Sequence, residues 1–563
     1  MNINEDILQF YLYKKLIKRK DVDSILTESK RLNIPVRNYM LAKEYTTETT
    51  ELEALSEYYC MPYIELDMLE IDKSLFDKFS LDYMKKNKFV PVATDKNGVL
   101  LIAVGKPLDL NAMSAVAAVY NGPVDTVLTS PTQIDRYLDS VSAVKSTSDA
   151  LHALNTESDD RMFADMKLTQ LGDISSADDV INNPAVRLVD SIIKEAIPYR
   201  ASDIHIEPFE KKVRVRYRID GDLQERASFP IEAYPAICAR IKIMSGINIA
   251  ERRVPQDGRI NMRIGGKEYD FRVSSLPSVH GEKFVIRILD KTSFRFTRQD
   301  LGFTDEENAV IDKMLTRPHG IILLTGPTGC GKSTTLYSFL KEVNNPTVNI
   351  ITVEDPVEYM MSGVTQTQVN TKANMTFAAA LRSILRQDPD IIMIGEIRDE
   401  ETAEIAVRAA ITGHLVFSTL HTNDAPGAIT RLEDMHVPDY LVADALVGVI
   451  AQRLVKRLCP ACKRRGKTNA REMEILGIDE PVSIFRPQGC QYCNNTGYKG
   501  RIAIHEIMYM NDPMKNAIAQ TKNSEALRNL AAENGMVSLW SSCRNLVVKG
   551  VTSIQELMTL NVE

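Results

Sequence analysis

Nowhere does this chain approach the roughly 20 consecutive apolar residues of a membrane span, so no membrane-crossing helix is expected. Its first residues, Met1-Asn2-Ile3-Asn4-Glu5-Asp6, lack the basic start and apolar core of a signal peptide. Positive charge is not in excess either. The formal net charge is −7, which leaves no overall basic field for nucleic acid, and no nucleic-acid partner is expected. No short-period internal repeat is found, which argues against solenoids and arrays. Together these absences point to a soluble protein of the cytosol. Cysteine is sparse, with eight in 563 residues. Four of them fall in two C-x-x-C pairs, and in the cytosol such pairs suggest metal before disulfide.

What is present is ordinary globular composition, 44% hydrophobic and 25% charged, and the length predicts about three or four domains. Residues 1–145 read as an N-terminal regulatory or docking domain. Asp6 to Arg19 is a partly amphipathic helix carrying the basic run Lys14 to Lys20, which reads as a solvated face. Leu52 to Tyr59 is a short helix. Phe89 to Ala93 and Val99 to Val104 are strands around the turn Asp95-Lys96-Asn97-Gly98. Residues 146–183, rich in Ser, Asp, Asn and Ala, are expected to form a flexible linker.

Residues 184–300 read as a second α/β domain. Ala185 to Ile197 has a helical pattern. Val213-Arg214-Val215-Arg216-Tyr217-Arg218-Ile219 alternates strictly and ends in Asp220-Gly221, a strand entering a turn. Glu268 to Val273 and Lys283 to Ile288 alternate likewise. From residue 301 to 563 apolar strands alternate with helical stretches. The strands include Ile321 to Thr325, Val348 to Val353, Ile391 to Ile394 and Leu415 to Ser418. That order predicts a mainly parallel sheet with helices on both faces.

The strongest motif is Gly326-Pro327-Thr328-Gly329-Cys330-Gly331-Lys332-Ser333, followed by Thr334. It lies between the apolar run Ile321 to Leu324 and a helical stretch. Strand, glycine-rich turn and helix in that order make a phosphate-binding loop. Its backbone N–H groups turn inward to phosphate oxygens, and the helix start adds its positive dipole end. Lys332 reaches the β- and γ-phosphates and the Ser333 hydroxyl ligates Mg²⁺. Downstream, Asp390-Ile391-Ile392-Met393-Ile394-Gly395-Glu396 is an apolar strand ending in a carboxylate, where Glu396 holds Mg²⁺ through water. The more usual residue there is aspartate.

Ile351-Thr352-Val353-Glu354-Asp355-Pro356-Val357-Glu358 puts three acids just past a strand, and Pro356 stops a helix from starting there. Either Glu354 or Glu358 can orient the attacking water. Glu354 adjoins the strand and is the one expected to be fixed by local hydrogen bonds, so Glu358 is assigned the water. Gly413-His414-Leu415-Val416-Phe417-Ser418-Thr419-Leu420-His421-Thr422-Asn423 is a strand with a histidine at each end. His414 and His421 are both read as sensors of the phosphate state.

Cys459-Pro460-Ala461-Cys462 and Cys490-Gln491-Tyr492-Cys493 are separated by 27 residues, with Lys463, Arg464, Arg465 and Lys467 between them. Each pair makes a tight turn, so four thiolates can converge on Zn²⁺. Four ligands leave no open position, which makes the zinc structural. The insert runs from about 455 to 500.

Taken in order, Gly326 to Ser333, Glu354 to Tyr359, Ile394-Gly395-Glu396-Ile397-Arg398-Asp399 and Gly413 to Asn423 resemble the Walker A, Asp box, Walker B and His box of the secretion ATPases. These power type II secretion and type IV pilus assembly. Ala201-Ser202-Asp203-Ile204-His205-Ile206-Glu207-Pro208 and Arg253-Val254-Pro255-Gln256-Asp257-Gly258-Arg259 resemble the domain that precedes the motor. The resemblance covers about residues 185–563. It implies a RecA-like P-loop core preceded by a mixed α/β, PAS-like domain and a small N-terminal domain.

The resemblance also implies ATP, Mg²⁺ and Zn²⁺, and a homohexamer working at the inner face of the cell membrane on a platform protein and associated cytoplasmic-side subunits. Arg272 and Arg287 match arginines of the second domain that reach nucleotide; Arg214, Arg216 and Arg218 are weaker matches. Cys330 stands where the family often has serine, and activity is expected to survive. Met61-Pro62-Tyr63-Ile64-Glu65-Leu66 is similar to the first domain of assembly ATPases. Some of those carry Arg-Leu-Gly and bind cyclic di-GMP. Pro35-Val36-Arg37 stands at that place here, which weighs against such binding. A nucleotide-regulated binding subunit with little turnover is the rival from another class, and the paired acids argue against it. The cysteine insert and long N-terminal region argue against a retraction or conjugation-type motor.

Overall fold

The computed structural model describes residues 8–142, 184–290, 297–520 and 524–560, less 9, 15, 18, 32–35, 44, 47, 67–70, 72, 96, 140 and 299. The expected linker and Pro35 lie outside the described residues. The chain divides into two compact units, Met1–Gly266 with Phe271–Ile288, and Leu289–Glu563 with Lys267–Asp270.

In the first unit, the helices Val22–Arg31, Val36–Ala42 and Glu48–Tyr59 bury Leu8, Tyr11, Ile25, Met40 and Leu52. Glu51 is fully buried and accepts from the Tyr11 hydroxyl at 2.9 Å and from Arg37 Nε at 2.7 Å. Arg37 is thus held by an internal acid. Strands β1 (Phe89–Thr94) and β2 (Leu100–Val104) pair antiparallel, and β2 pairs parallel with β3 (Val124–Leu128). Parallel pairing needs a crossover, here the helix Leu110–Tyr120, capped by Asp109. The expected turn between β1 and β2 is built by Asp95, whose Oδ1 accepts the N–H groups of Asn97 and Val99 at 2.8 Å.

A six-stranded sheet follows in the order β6-β5-β4-β9-β8-β7. Its strands are β4 (Asp203–Pro208), β5 (Lys212–Ile219), β6 (Asp222–Pro230), β7 (Gln256–Ile264), β8 (Lys267–Ser278) and β9 (Gly281–Asp290). The alternation of β5 is realised: Val213, Val215 and Tyr217 are buried, and the Tyr217 hydroxyl donates to the Ile192 carbonyl at 2.8 Å. The other face is an ion-pair ladder. Arg214, Arg216 and Lys283 converge on Glu207 at 3.1, 2.8 and 2.9 Å. Burial alone would raise the Glu207 pKa, but hydrogen bonds from Arg216, Lys283 and Arg214 outweigh it and hold it at about 2. Arg218 and Arg287 lie 3.8 and 3.1 Å from Asp203.

The second unit is organised by a seven-stranded sheet in the order β12-β11-β13-β14-β10-β15-β18. Its strands are β10 (Gly320–Thr325), β11 (Ile350–Glu354), β12 (Thr365–Gln368), β13 (Ile391–Ile394), β14 (Leu415–Leu420), β15 (Leu446–Leu458) and β18 (Tyr498–Tyr509). Only β18 is antiparallel, running against β15. Ile321 and Leu323 of β10 belong to one core cluster, Ile322 and Leu324 to another. A parallel strand covered on both faces reads as a continuous apolar run, which is why β10 shows no alternation. Strand β11 starts two residues later than expected and takes Glu354 as its last, buried residue. Asn349 stays outside it, its side-chain amide donating to the Gln387 and Asp388 carbonyls. Between β15 and β18 sits a small hairpin, β16 (Arg464–Lys467) with β17 (Ser483–Arg486), and the helix Ala470–Leu476, closed by an Asn469–Glu472 capping box.

Candidate nucleotide site

The parallel register decides which side chains meet. Thr325 of β10 pairs with Leu420 of β14, Ser418 of β14 with Ile394 of β13, and Ile394 with Val353 of β11. The residues that follow each strand therefore emerge at one sheet edge. These are the loop from Gly326, then His421 and Glu396, and beside them Glu354, the last residue of β11. The carboxyl ends of parallel strands are where open α/β sheets place ligands.

In the loop, Gly326, Gly329 and Gly331 hold φ of 141°, 82° and 92°, a region costly for any side chain. The helix Lys332–Val343 starts directly after Gly331. Lys332 is buried at its start and donates to the Gly326 and Pro327 carbonyls at 2.6 and 3.2 Å. Burial pushes its pKa down, and the nearby Cys330 and Glu396 pull the other way. Thr328, Gly329 and Ser333 are exposed, Pro327 and Thr334 half-buried. Cys330 is buried beneath the loop, and burial pushes its thiol up.

Glu396 is paired with Arg398 and lies 3.4 Å from His421 Nε2. Thr422 ties this edge together, its Oγ1 lying 2.6 Å from Thr325 Oγ1. His414 corrects the expectation for the two histidines. It precedes β14, and its carbonyl accepts from Gly320 at the start of β10 while its Nδ1 faces the Ala409 carbonyl at 2.9 Å. The six residues of β14 span about 20 Å, so the structure brings His421 to the loop and leaves His414 at the opposite edge.

Glu354 is 3% exposed. It accepts from the Tyr337 hydroxyl, from Thr352 Oγ1 at 2.6 Å and from Gln366 Nε2 at 3.1 Å. Burial, then the Glu354 carboxylate, push the Tyr337 pKa up, so the phenol stays a donor. Glu358 is half-buried, its N–H 3.4 Å from the same hydroxyl. Tyr337 and Gln452 carry no motif in the sequence, because their partners Glu354 and Cys330 lie 17 and 122 residues away. Arg272 lies on β8 and Arg287 on β9, both in the first unit.

The cysteines converge as expected. Sγ–Sγ distances are 3.8 Å for Cys459–Cys490, Cys462–Cys493 and Cys490–Cys493. A tetrahedron with Zn–S near 2.3 Å has edges of about 3.8 Å. The Cys490 and Gly497 N–H groups donate to Cys493 Sγ at 3.2 and 3.1 Å, as suits a thiolate. The donor set and its spacing fit zinc.

Residues 178–559 match the family described as type II/IV secretion system protein, and residues 59–147 match the MshEN domain. The chain belongs to the type II/IV secretion system protein family. Type II secretion system protein E of Pseudomonas aeruginosa is 48% identical over 382 residues, covering 68% of this chain and 76% of that one. The type IV pilus assembly ATPase PilB of Myxococcus xanthus is 40% identical over 526 residues, covering 92% of each. The Legionella pneumophila ATPase DotB is 20% identical and covers 66% of this chain and 95% of that one at a TM-score of 0.50, a likeness of fold. The resemblance read from the motifs is borne out. This family member is an ATP hydrolase of the type II secretion and type IV pilus assembly class, using ATP and Mg²⁺. Its relatives act within secretion or pilus machines.

Proposed function

We propose that the chain works as a homohexamer at the cytoplasmic face of the inner membrane, where hydrolysis moves a platform protein of a pilus or secretion machine. The observation that carries the site assignment is the shared sheet edge of the loop, Glu396, His421 and Glu354. Loop N–H groups and Lys332 grip the phosphates. Mg²⁺, when bound with nucleotide, would supply charge neutralisation at the phosphates. Ser333 would hold it through its hydroxyl, and Glu396, oriented by His421 and Arg398, would hold it through water. Glu358 orients the attacking water. Arg272 or Arg287 is the arginine that assembly of neighbouring copies would bring to nucleotide, and the four thiolates would hold structural zinc. Among the described residues no helix is long and apolar enough to cross a membrane, which suits attachment to a membrane partner.

Lys332→Ala removes the one ammonium held in the loop. We expect it to abolish ATP hydrolysis and to weaken ATP binding strongly, measured by phosphate release and by titration of a fluorescent nucleotide. Near-normal turnover would refute the loop assignment.

A further inference from the structure

A phosphate loop that aims its N–H groups inward must send its carbonyls outward, and buried carbonyls need donors. The Gly326 carbonyl has Lys332. The Cys330 carbonyl has Gln452, whose Nε2 donates at 2.7 Å. On its other side Gln452 accepts from Thr335 Oγ1 at 2.8 Å, in the first turn of the loop's helix. A carbonyl can only accept, so the amide nitrogen must face Cys330, and the orientation of the side chain is fixed by its partners. Gln452 is 1% exposed and follows Ala451, the β15 residue paired with Thr325 at the end of β10. It therefore stands directly under the loop.

Both flanking glycines close on it. A Cβ at Gly326 would fall 2.4 Å from the Gln452 backbone carbonyl oxygen, and one at Gly331 would fall 2.9 Å from its side-chain Nε2. Beside it, His505 of β18 pairs with Gln452 across the strands, and its ring stacks on Phe303 at 3.7 Å. The buried side chain has a hydrogen-bond partner at each end of its amide.

We propose that Gln452 is a positioning residue for ATP binding and hydrolysis. Its amide clamps the loop from outside, holding the Cys330 carbonyl to the helix start so that the loop N–H groups keep their aim at the phosphates. The inference rests on the phosphate-loop reading, and Lys332→Ala separates the two. If Lys332→Ala binds nucleotide normally, that reading and the clamp fall together.

The test uses the full chain and measures binding of ADP and the ATP KM for Gln452→Met, Gln452→Glu and Thr335→Val. Gln452→Met fills the space without donating. We expect about tenfold weaker ADP binding and a similarly raised KM, the scale of one buried carbonyl left without a donor, with zinc content as in the parent and a melting temperature lowered by only a few degrees. A carboxyl at 452 is buried and titrates above its ordinary range. Its neutral form donates an O–H as the amide does. Gln452→Glu should therefore bind weakly near about pH 8.5 and recover toward the parent near about pH 6, while Gln452→Met stays weak. Parental affinity in Gln452→Met overturns the clamp. Tighter binding by Gln452→Glu near about pH 8.5 than near about pH 6, relative to the parent at each pH, overturns it too, since an ionised carboxylate cannot donate. If Gln452→Met fails to fold, Thr335→Val carries the test: about threefold weaker binding supports the clamp, and unchanged binding overturns it.

Discussion

Glu354 and Glu358 stand four residues apart, and burial separates what each can do. Glu354 closes β11 at 3% exposure and accepts from Tyr337, Thr352 and Gln366. A carboxylate with three donors already on it has little left for a water. Glu358 lies past Pro356 on the half-buried turn that meets Tyr337. In the proposed site it holds the in-line water and accepts its proton, so Glu358→Gln should keep ATP affinity and oligomerisation but lose turnover by roughly 10²-fold or more. Glu354→Gln should mainly cost stability, by about 1–3 kcal/mol, because its amide would face donors. Binding, turnover and thermal melting on the same preparations decide. Normal turnover in Glu358→Gln with a dead Glu354→Gln reverses the two roles.

At the scale of elements, what could be read from the sequence was what is local. The phosphate loop was legible because strand, glycines, lysine and helix are contiguous. The β5 strand was legible because its arginines alternate with buried Val213, Val215 and Tyr217. Gln452 was not, because its partner Cys330 lies 122 residues away and no spacing marks it. The two histidines look alike in sequence, and only the parallel register tells the ends of β14 apart. The cysteine insert was legible because each pair makes its own turn; the 3.8 Å Sγ spacings then supply the tetrahedral edge. Structural zinc contributes folding energy outright. Metal analysis should find about one zinc per chain. Cys490→Ser should lose that zinc and melt the segment carried between β15 and β18 at lower temperature, followed by local proteolysis. Purified protein without zinc and with all thiols free would sink the assignment.

At the scale of the whole molecule, the two arginines proposed to reach nucleotide lie outside the unit that carries the loop. The loop, Glu396 and Glu358 belong to the second unit, Arg272 and Arg287 to the first. Arg287 has a 57% exposed side chain and rests against Asp203 at 3.1 Å. Asp203 is buried but keeps Arg218 at 3.8 Å, so the exposed Arg287 guanidinium can exchange it for a phosphate without leaving the acid unpaired. An arginine delivered to transferring phosphate is worth roughly 10³-fold or more in rate. If neighbouring copies complete each other's sites, specific ATPase activity must rise with protein concentration and level off where sedimentation shows the hexamer filled. Arg287→Ala should then assemble as the parent does yet lose activity toward that 10³-fold scale, with Arg272→Ala tested beside it. Mixing Arg287→Ala with Lys332→Ala gives the sharper result. Each variant lacks one half of a shared site, so mixed hexamers regain some turnover where an intact arginine meets an intact loop. A fully active monomer in sedimentation, or mixtures no more active than their parts, would place the whole site within one chain.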